Sequence, residues 1–241
     1  MKNELRRIGL LAGNGDVPVY FSEKARENNL RVVLISFSKD IHKKLKPLVD
    51  KAYLISLGRT GKIFKTLKDE NITDLVMLGK FDKKIIFKPS FFDLRAVKIL
   101  KDLATQEDKT LLLGVIQELE KEGFHVLDQK ELLGKVFPDK GILTKRKPSN
   151  KEMEEIEFGL PIAKKLADME IGQTIVVRNK TVVAVEAVEG TDRTLERGCE
   201  LSRGRCVAVK VSRTNQDYRY DVPGIGPQTI ASLINGGASV I

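Results

Sequence analysis

Short apolar runs alternate with longer amphipathic stretches over the first 127 residues. The run from Arg7 to Ala12 predicts a buried strand, and Gly13-Asn14-Gly15-Asp16 predicts a turn. A helix is expected from Val17, with Asp16 as N-cap and Pro18 in the first turn. A second apolar run at 31–36 follows at the spacing of a strand–helix–strand unit. Further strands are expected at 51–57, 72–78 and 124–127, and helices at 60–70, 93–104 and 109–122. Continuous apolar strands separated by helices specify a parallel sheet covered on both faces.

The pattern changes after residue 143. Residues 144–150 are polar, basic and contain Pro148, which predicts a linker. Residues 151–169 form an amphipathic helical pattern, with an interruption expected near Gly159 and Pro161. Residues 173–189 read as a β-hairpin, with β-branched residues flanking a turn at Asn179-Lys180. A helix is expected to start at Thr191 or Asp192, with one of them as its cap. A strand is expected at 206–212, and an apolar run with helical character after Gly226-Pro227. The apolar tail 230–241 reads as a buried final strand or a shortened chain. The expected class is α/β: a parallel-sheet domain over 1–143, a linker over 144–150, and a second, mixed α/β domain over 151–241.

Composition narrows the classes. Hydrophobic residues make up 41% and charged residues 31%, as in a globular chain, and no apolar run is long enough to span a bilayer. The first residues lack a signal-peptide core, so a cytoplasmic protein is expected. Cys199 and Cys206 are expected to be reduced, and two cysteines with two histidines make a zinc cage improbable. The net charge is +9, unevenly divided: 27 Lys+Arg against 20 Asp+Glu in residues 1–143, and 15 against 13 in residues 144–241. A lysine surplus suits an anionic partner, such as a phosphorylated ligand or an acidic membrane surface, and equally a merely solvated surface. Aromatic residues are 6% with no Trp, too few for base-stacking platforms, which disfavours nucleic acid.

The densest candidate chemistry lies in residues 216–229. Asp217 and Asp221 bracket Arg219, and Asp221 stands just before Pro223-Gly224. A carboxylate at the end of an extended segment, beside glycines and a helix start, has the parts of a metal or phosphate site. If 216–222 is extended, Asp217, Arg219 and Asp221 share a face. Four residues of strand span roughly 13 Å, so only one of the two acids can then ligate a given ion. The Gly13-Asn14-Gly15 turn could bring backbone N–H groups to a phosphate, but Pro18 stands where a dinucleotide fingerprint needs glycine. A nicotinamide cofactor is not expected. Glu186 and Glu189 lead into Gly190-Thr191-Asp192, with Arg193 and Arg197 one turn apart, a pattern that fits a metal-bridged phosphate or an ordinary strand-to-helix junction.

Several blocks together resemble one family. They are Leu11-Ala-Gly-Asn-Gly-Asp-Val-Pro18, the stretch 111–124, Ile171-Gly-Gln173, Ala184-Val-Glu-Ala-Val-Glu-Gly-Thr-Asp192 and Asp221-Val-Pro-Gly-Ile-Gly226. Nearly the whole chain is similar to the LpxI-type UDP-2,3-diacylglucosamine pyrophosphatases of lipid A biosynthesis. The resemblance implies a Rossmann-like N-terminal domain, a distinct C-terminal domain and a lipid substrate held between them. It implies Mg²⁺-dependent hydrolysis of the pyrophosphate to 2,3-diacylglucosamine 1-phosphate (lipid X) and UMP, with water attacking the sugar-side phosphorus. The family's essential aspartate falls on Asp221. Thr191, Asp192 and Arg197 also match the family pattern, whereas Gly224 stands where Thr is usual and the tail ends earlier than the family pattern.

On this footing Asp221 is the expected catalytic residue. The expected metal set is Asp221 with Asp217, Asp192 and Glu189. The expected substrate contacts are Gly13, Asn14, Gly15, Thr191, Arg197, Lys210, Gln216 and Arg219. The expected partner is a lipid-linked sugar nucleotide, with the inner-membrane surface and a second copy of the chain as further candidates. A non-catalytic module binding phospholipid or sugar nucleotide is the rival reading, and a nucleotide-sugar transferase is a second.

Overall fold

The computed structural model describes residues 7–81, 92–104, 111–220 and 222–241. Asp221 therefore lies outside the described residues, as do positions 109 and 110 of one expected helix. The chain divides into two compact units, Met1–Pro138 with Tyr218–Asp221, and Asp139–Asp217 with Val222–Ile241. Residues 144–150, expected to be a linker, fall within the second unit's span. Residues 218–220, expected in the C-terminal domain, group with the first unit.

The first unit is built on five parallel strands in the order β3-β2-β1-β4-β5. They are β1 (Arg7–Ala12), β2 (Arg31–Ser36), β3 (Lys51–Leu54), β4 (Asp74–Leu78) and β5 (His125–Val126). The helices are α1 (Val17–Glu27), α2 (Lys39–Leu45), α3 (Thr60–Asp69), α4 (Leu94–Ala104), α5 (Leu111–Lys121) and the short α6 (Gln129–Leu133). Side chains alternate between two cores, as strand geometry requires. Leu11, Val33, Ile35, Leu75 and Met77 pack with Ile63, Phe64, Leu67, Ile116 and Leu119 of α3 and α5. Ile8, Leu10, Leu34, Val76 and Leu78 pack with Phe21, Ile41, Leu45 and Leu133 of α1, α2 and α6. Both faces are covered, which is why these strands read as unbroken apolar runs. Asp16 occupies the N-cap of α1, but its side chain makes no capping bond. Helix α6 was not expected, because its five residues are too few for a helical period to register.

The second unit contains α7 (Asn150–Asp168), β6 (Thr174–Arg178), β7 (Thr181–Val185), α8 (Thr191–Ser202), β8 (Val207–Lys210) and α9 (Pro227–Asn235). Its three strands are antiparallel in the order β7-β6-β8. The hairpin turn lies at Asn179-Lys180, both with positive φ (49° and 54°), the geometry that matches strand twist in a two-residue loop. One face packs Ala163 and Ala167 of α7 against Ile175, Val177, Val207 and Val209. The other packs Leu195 and Cys199 of α8 and Leu233 of α9 against Val176, Ala184 and Ala208. The tail places Val240 in a parallel bridge with Val207 after α9, so the expected final strand reduces to a single bridge.

Helix α7 corrects the interruption expected at Gly159 and Pro161: it runs unbroken through both. Pro161 lacks a donor, yet Gly159 lets the helix lie close to the sheet. A Cβ at Gly159 would stand 2.8 Å from Val177 Cγ2 and 3.0 Å from Val209 Cγ2. Burial along the apolar face outweighs one lost hydrogen bond. On the opposite face a Cβ at Gly198 would stand 2.5 Å from Val176 Cγ2, so α8 also needs a bare backbone there.

Gly198→Ala should therefore lower the thermal midpoint followed by circular dichroism. Overpacking a filled site costs about 1–3 kcal/mol, and the roughly 1 kcal/mol gain in helix propensity does not offset it. At the start of α7, Arg146 donates both terminal nitrogens to Glu152 at 2.9 and 3.0 Å, and the Ser149 backbone N–H donates at 2.7 Å. The Arg146 guanidinium, followed by that N–H, draws the Glu152 carboxyl from 4.5 down to about 2. Because the folded value lies below the unfolded one, the stabilisation is complete above pH 4.5 and is lost as pH falls toward 2. The difference in thermal midpoint between wild type and Glu152→Gln should shrink between pH 5 and pH 2.5.

Candidate functional site

The polar end of the second unit's sheet gathers several of the expected site residues. Thr174 and Lys210 are register partners on β6 and β8. The Lys210 ammonium donates to Thr191 Oγ1 at 2.8 Å and to Thr174 Oγ1 at 3.3 Å. Thr191 in turn donates its hydroxyl proton to Glu186 Oε1 at 2.8 Å. The backbone holds these groups in place: Glu186 N–H donates to the Thr174 carbonyl at 2.9 Å. Gly172 makes room for that approach, since a Cβ there would meet the Glu186 carbonyl oxygen at 2.0 Å. Neither Thr191 nor Asp192, the two expected caps of α8, takes that place. Gly190 is the N-cap, with φ of 85°, and no side chain caps the helix. Thr191 uses its only proton on Glu186.

The remaining expected residues of this end lie in the first turns of α8 and in the loop before it. Glu189 accepts from Arg197 Nη2 at 2.8 Å and from Thr194 Oγ1 at 3.3 Å. Its own backbone N–H, then Arg197 and Thr194, hold its carboxyl below the usual range. Arg197 also donates to the Val185 carbonyl at 3.0 Å. Asp192 accepts from Thr229 Oγ1 of α9 at 3.1 Å, so its charge meets a neutral hydroxyl rather than a cation. Two participants were not picked out from the sequence. Glu186 reads with Glu189 as a carboxylate pair leading into the helix, not as the partner of Thr191. Thr174 and Thr229 lie in runs where threonine reads as a strand or helix filler.

The segment 216–220 departs from expectation. It is not an extended strand: residues 218–220 form a turn, so the alternation that would put Asp217 and Arg219 on one face does not apply. The reason is aromatic anchoring in the first unit. Tyr220 is buried in the core of α3 and α5, and Tyr218 meets the Phe137 ring edge-on at 6.0 Å. Gln129 of α6 donates its backbone N–H to the Tyr218 carbonyl at 3.0 Å and its side-chain amide to the Met77 carbonyl at 2.9 Å. Arg219 forms an ion pair with Glu120 of α5. Gln216 and Asp217 are half-buried and belong to the second unit.

At the first turn, Gly13 and Asn14 donate their N–H groups to the carbonyls of Leu78 and Lys80 at 2.8 and 2.9 Å. A Cβ at Gly13 would stand 2.6 Å from the Lys80 carbonyl oxygen, so this glycine serves the pairing of β1 with the chain after β4. The Asn14 amide oxygen accepts from Ser38 at 2.9 Å. The first unit also holds an apolar cavity, lined among others by Leu11, Phe37, Met77, Phe81, Phe92 and Ile99. It lies by the carboxyl ends of β1, β2 and β4, where doubly wound sheets bind ligands.

Hard oxygen donors suited to magnesium are present in this chain. Among the described residues Asp192 has no cationic partner in a hydrogen bond or ion pair, and one oxygen of Glu186, Oε2, is buried without a hydrogen-bond partner. No group of three or more His, Cys, Asp or Glu placed to hold a metal occurs among the described residues. Magnesium keeps several waters and needs only one or two carboxylates, so the donor set fits it. No helix among the described residues is long and apolar enough to cross a membrane.

Two family models match the chain: the LpxI N-terminal domain over residues 7–136 and the LpxI C-terminal domain over residues 139–241. The chain is 32% identical, over 98% of its length and 88% of the relative's, to the UDP-2,3-diacylglucosamine pyrophosphatase LpxI of Caulobacter vibrioides. Among solved structures it is similar to Cj0485 dehydrogenase (17% identity, TM-score 0.30, 48% of this chain and 49% of that one). It is also similar to the biotin carboxylase domain of Hydrogenobacter thermophilus 2-oxoglutarate carboxylase (11% identity, TM-score 0.33, 83% and 42%).

The anchoring of the 218–220 turn predicts a specific loss. Tyr220→Ala should destabilise the protein by about 3 kcal/mol, the usual range for emptying a buried aromatic site, read as a lower urea midpoint. Tyr218→Ala, whose ring is only half-buried, should have a smaller effect.

Proposed function

This chain belongs to the LpxI family, and from that premise we propose that it hydrolyses the pyrophosphate bond of UDP-2,3-diacylglucosamine. The products are 2,3-diacylglucosamine 1-phosphate and UMP, and water attacks the sugar-side phosphorus. The observation that carries the reading is the match of both family domains end to end, with a relative named for that activity over 98% of the chain.

The anionic oxygens of a pyrophosphate diester repel an incoming nucleophile, so the site must supply positive charge and a positioned water. Magnesium, when bound, supplies charge neutralisation on those oxygens. Asp221 would hold it or orient the water, with Asp192 as the next oxygen donor and Asp217 and Glu189 as further ones. Glu189 would have to loosen its pairing with Arg197 to take that part. Lys210, aimed by two threonine hydroxyls, balances phosphate charge as a point cation. Arg197 and Arg219 add planar donors suited to phosphate oxygens, and Gln216 adds a side-chain amide; Thr191 acts through Lys210, since its proton goes to Glu186, and the N–H groups of Gly13 and Asn14 are taken by Leu78 and Lys80. The apolar cavity of the first unit offers the kind of lining that an acyl chain needs and a phosphate does not. The lysine surplus of residues 1–143 suits the anionic cytoplasmic face of the inner membrane, where a lipid substrate resides.

Asp221→Ala should fold with a wild-type circular dichroism spectrum and lose at least about a thousandfold in UMP release, the scale expected for a group that holds the metal or the water. Wild-type-like hydrolysis by that variant would refute the assignment. Chelation of divalent cations should stop the wild-type reaction. In ¹⁸O-water the label should appear in 2,3-diacylglucosamine 1-phosphate; label in UMP contradicts attack on the sugar side. A module that binds the substrate without releasing UMP would establish the non-catalytic alternative instead.

A further inference from the structure

We propose that Glu186 is a positioning residue that acts through Thr191 to aim the Lys210 ammonium at the phosphoryl oxygens of the substrate. The inference rests on the reading of Lys210 as a phosphate-contacting cation given above.

The direction of each bond in the chain is forced by the chemistry of the groups. An ammonium has three protons to give and no lone pair, an ionised carboxylate only accepts, and a hydroxyl has one proton and two lone pairs. Thr191 Oγ1 lies 2.8 Å from both Lys210 Nζ and Glu186 Oε1. Its single proton must therefore go to Glu186, which turns a lone pair toward Lys210. Without the carboxylate, the hydroxyl rotor is free to swing its proton away from that arrangement. The second threonine, Thr174, is buried to 1% exposure and fixes the other side of the ammonium at 3.3 Å.

Two further observations separate this role from a plain structural one. Among the described residues Glu186 Oε2 is buried with no hydrogen-bond partner, an arrangement that costs stability and that a purely structural position would avoid with a neutral or apolar side chain. The backbone of Glu186 is also held from both sides, by its bond to the Thr174 carbonyl and by the close approach of Gly172. The same threonine residue thus fixes the main chain of the carboxylate and one side of the lysine. A positioned cation requires that kind of doubly determined frame.

The test is a double-mutant cycle read in UMP release, with kcat and KM separated. Thr191→Val keeps the shape and removes the hydroxyl; Thr191→Ser keeps the hydroxyl. In the wild-type background, Thr191→Val and Glu186→Leu should each lower kcat by about ten-fold to a hundred-fold, the scale of a hydrogen bond to a charged group. KM should change little, and Thr191→Ser should stay within about threefold of wild type. In a Lys210→Met background the same two substitutions should cost no more than about threefold, because the group they aim is gone. Thermal midpoints identify any variant that fails to fold, and the Thr191 pair carries the test if Glu186→Leu does not fold. Equal losses in both backgrounds, or a Thr191→Val enzyme with wild-type kcat, would overturn the proposal. If Lys210→Met itself retains wild-type turnover, the assignment of Lys210 falls and this inference falls with it. If Lys210→Met is impaired while the other losses add, only the role of Glu186 falls.

Discussion

Strand β6 is covered on both faces, and the order of the second unit follows from how closely its helices approach it. Val176 and Val177 point to opposite sides and are each fully buried. Each meets a helix at a glycine, Gly198 of α8 for the first and Gly159 of α7 for the second. Close contact leaves no space for slack, so the ends of the strand are fixed as firmly as its middle. One of those ends carries Thr174, and through it the placement of Lys210 and Glu186. A polar network at the edge of a tightly packed layer has few ways to rearrange, which is what lets a single hydroxyl have a direction.

The first unit solves a different problem with the same means. Its parallel sheet is closed at the carboxyl ends by the Asn14–Lys80 pairing. Its α3 and α5 face receives Tyr220, a residue that sequence order puts far from that core. Asp221 is covalently next to that buried ring. The acid expected to carry catalysis therefore follows a residue whose place is set by aromatic packing rather than by strand pairing.

The two cysteines show how burial can silence a reactive group. Cys199 and Cys206 lie with sulfurs 3.5 Å apart, both buried and both free thiols. Burial, reinforced by the neighbouring sulfur, pushes the Cys199 thiol up to about 12, so the nucleophilic thiolate is suppressed. They act as small apolar residues between α8, β8 and α9, which agrees with the reduced state expected from their number.

Much of the fold was legible because local chemistry and burial point the same way. The strands of the first unit read as continuous apolar runs since both of their faces are covered. The hairpin at Asn179-Lys180 read correctly since the turn and its β-branched flanks agree. Glu189, Arg197 and Thr191 stood out as charge or hydroxyl near a helix start, and Lys210 as a cation on an apolar strand. Packing decided the rest. Nothing in the order of residues says that Gly159 lies against Val177, so a helix that looked broken runs through. Alternation in 216–220 suggested a strand, but Tyr218 and Tyr220 have a better place on the first unit, and the segment turns. Glu186 read as one of a carboxylate pair leading into a helix start, suited to a metal-bridged phosphate or to an ordinary junction. Only the fold shows one of its oxygens buried and the other orienting Thr191. The sequence by itself determined which segments become strands and helices, because those choices depend on neighbours a few residues away. The tertiary structure alone decided which polar groups share a proton, because that depends on contacts between residues far apart in the chain.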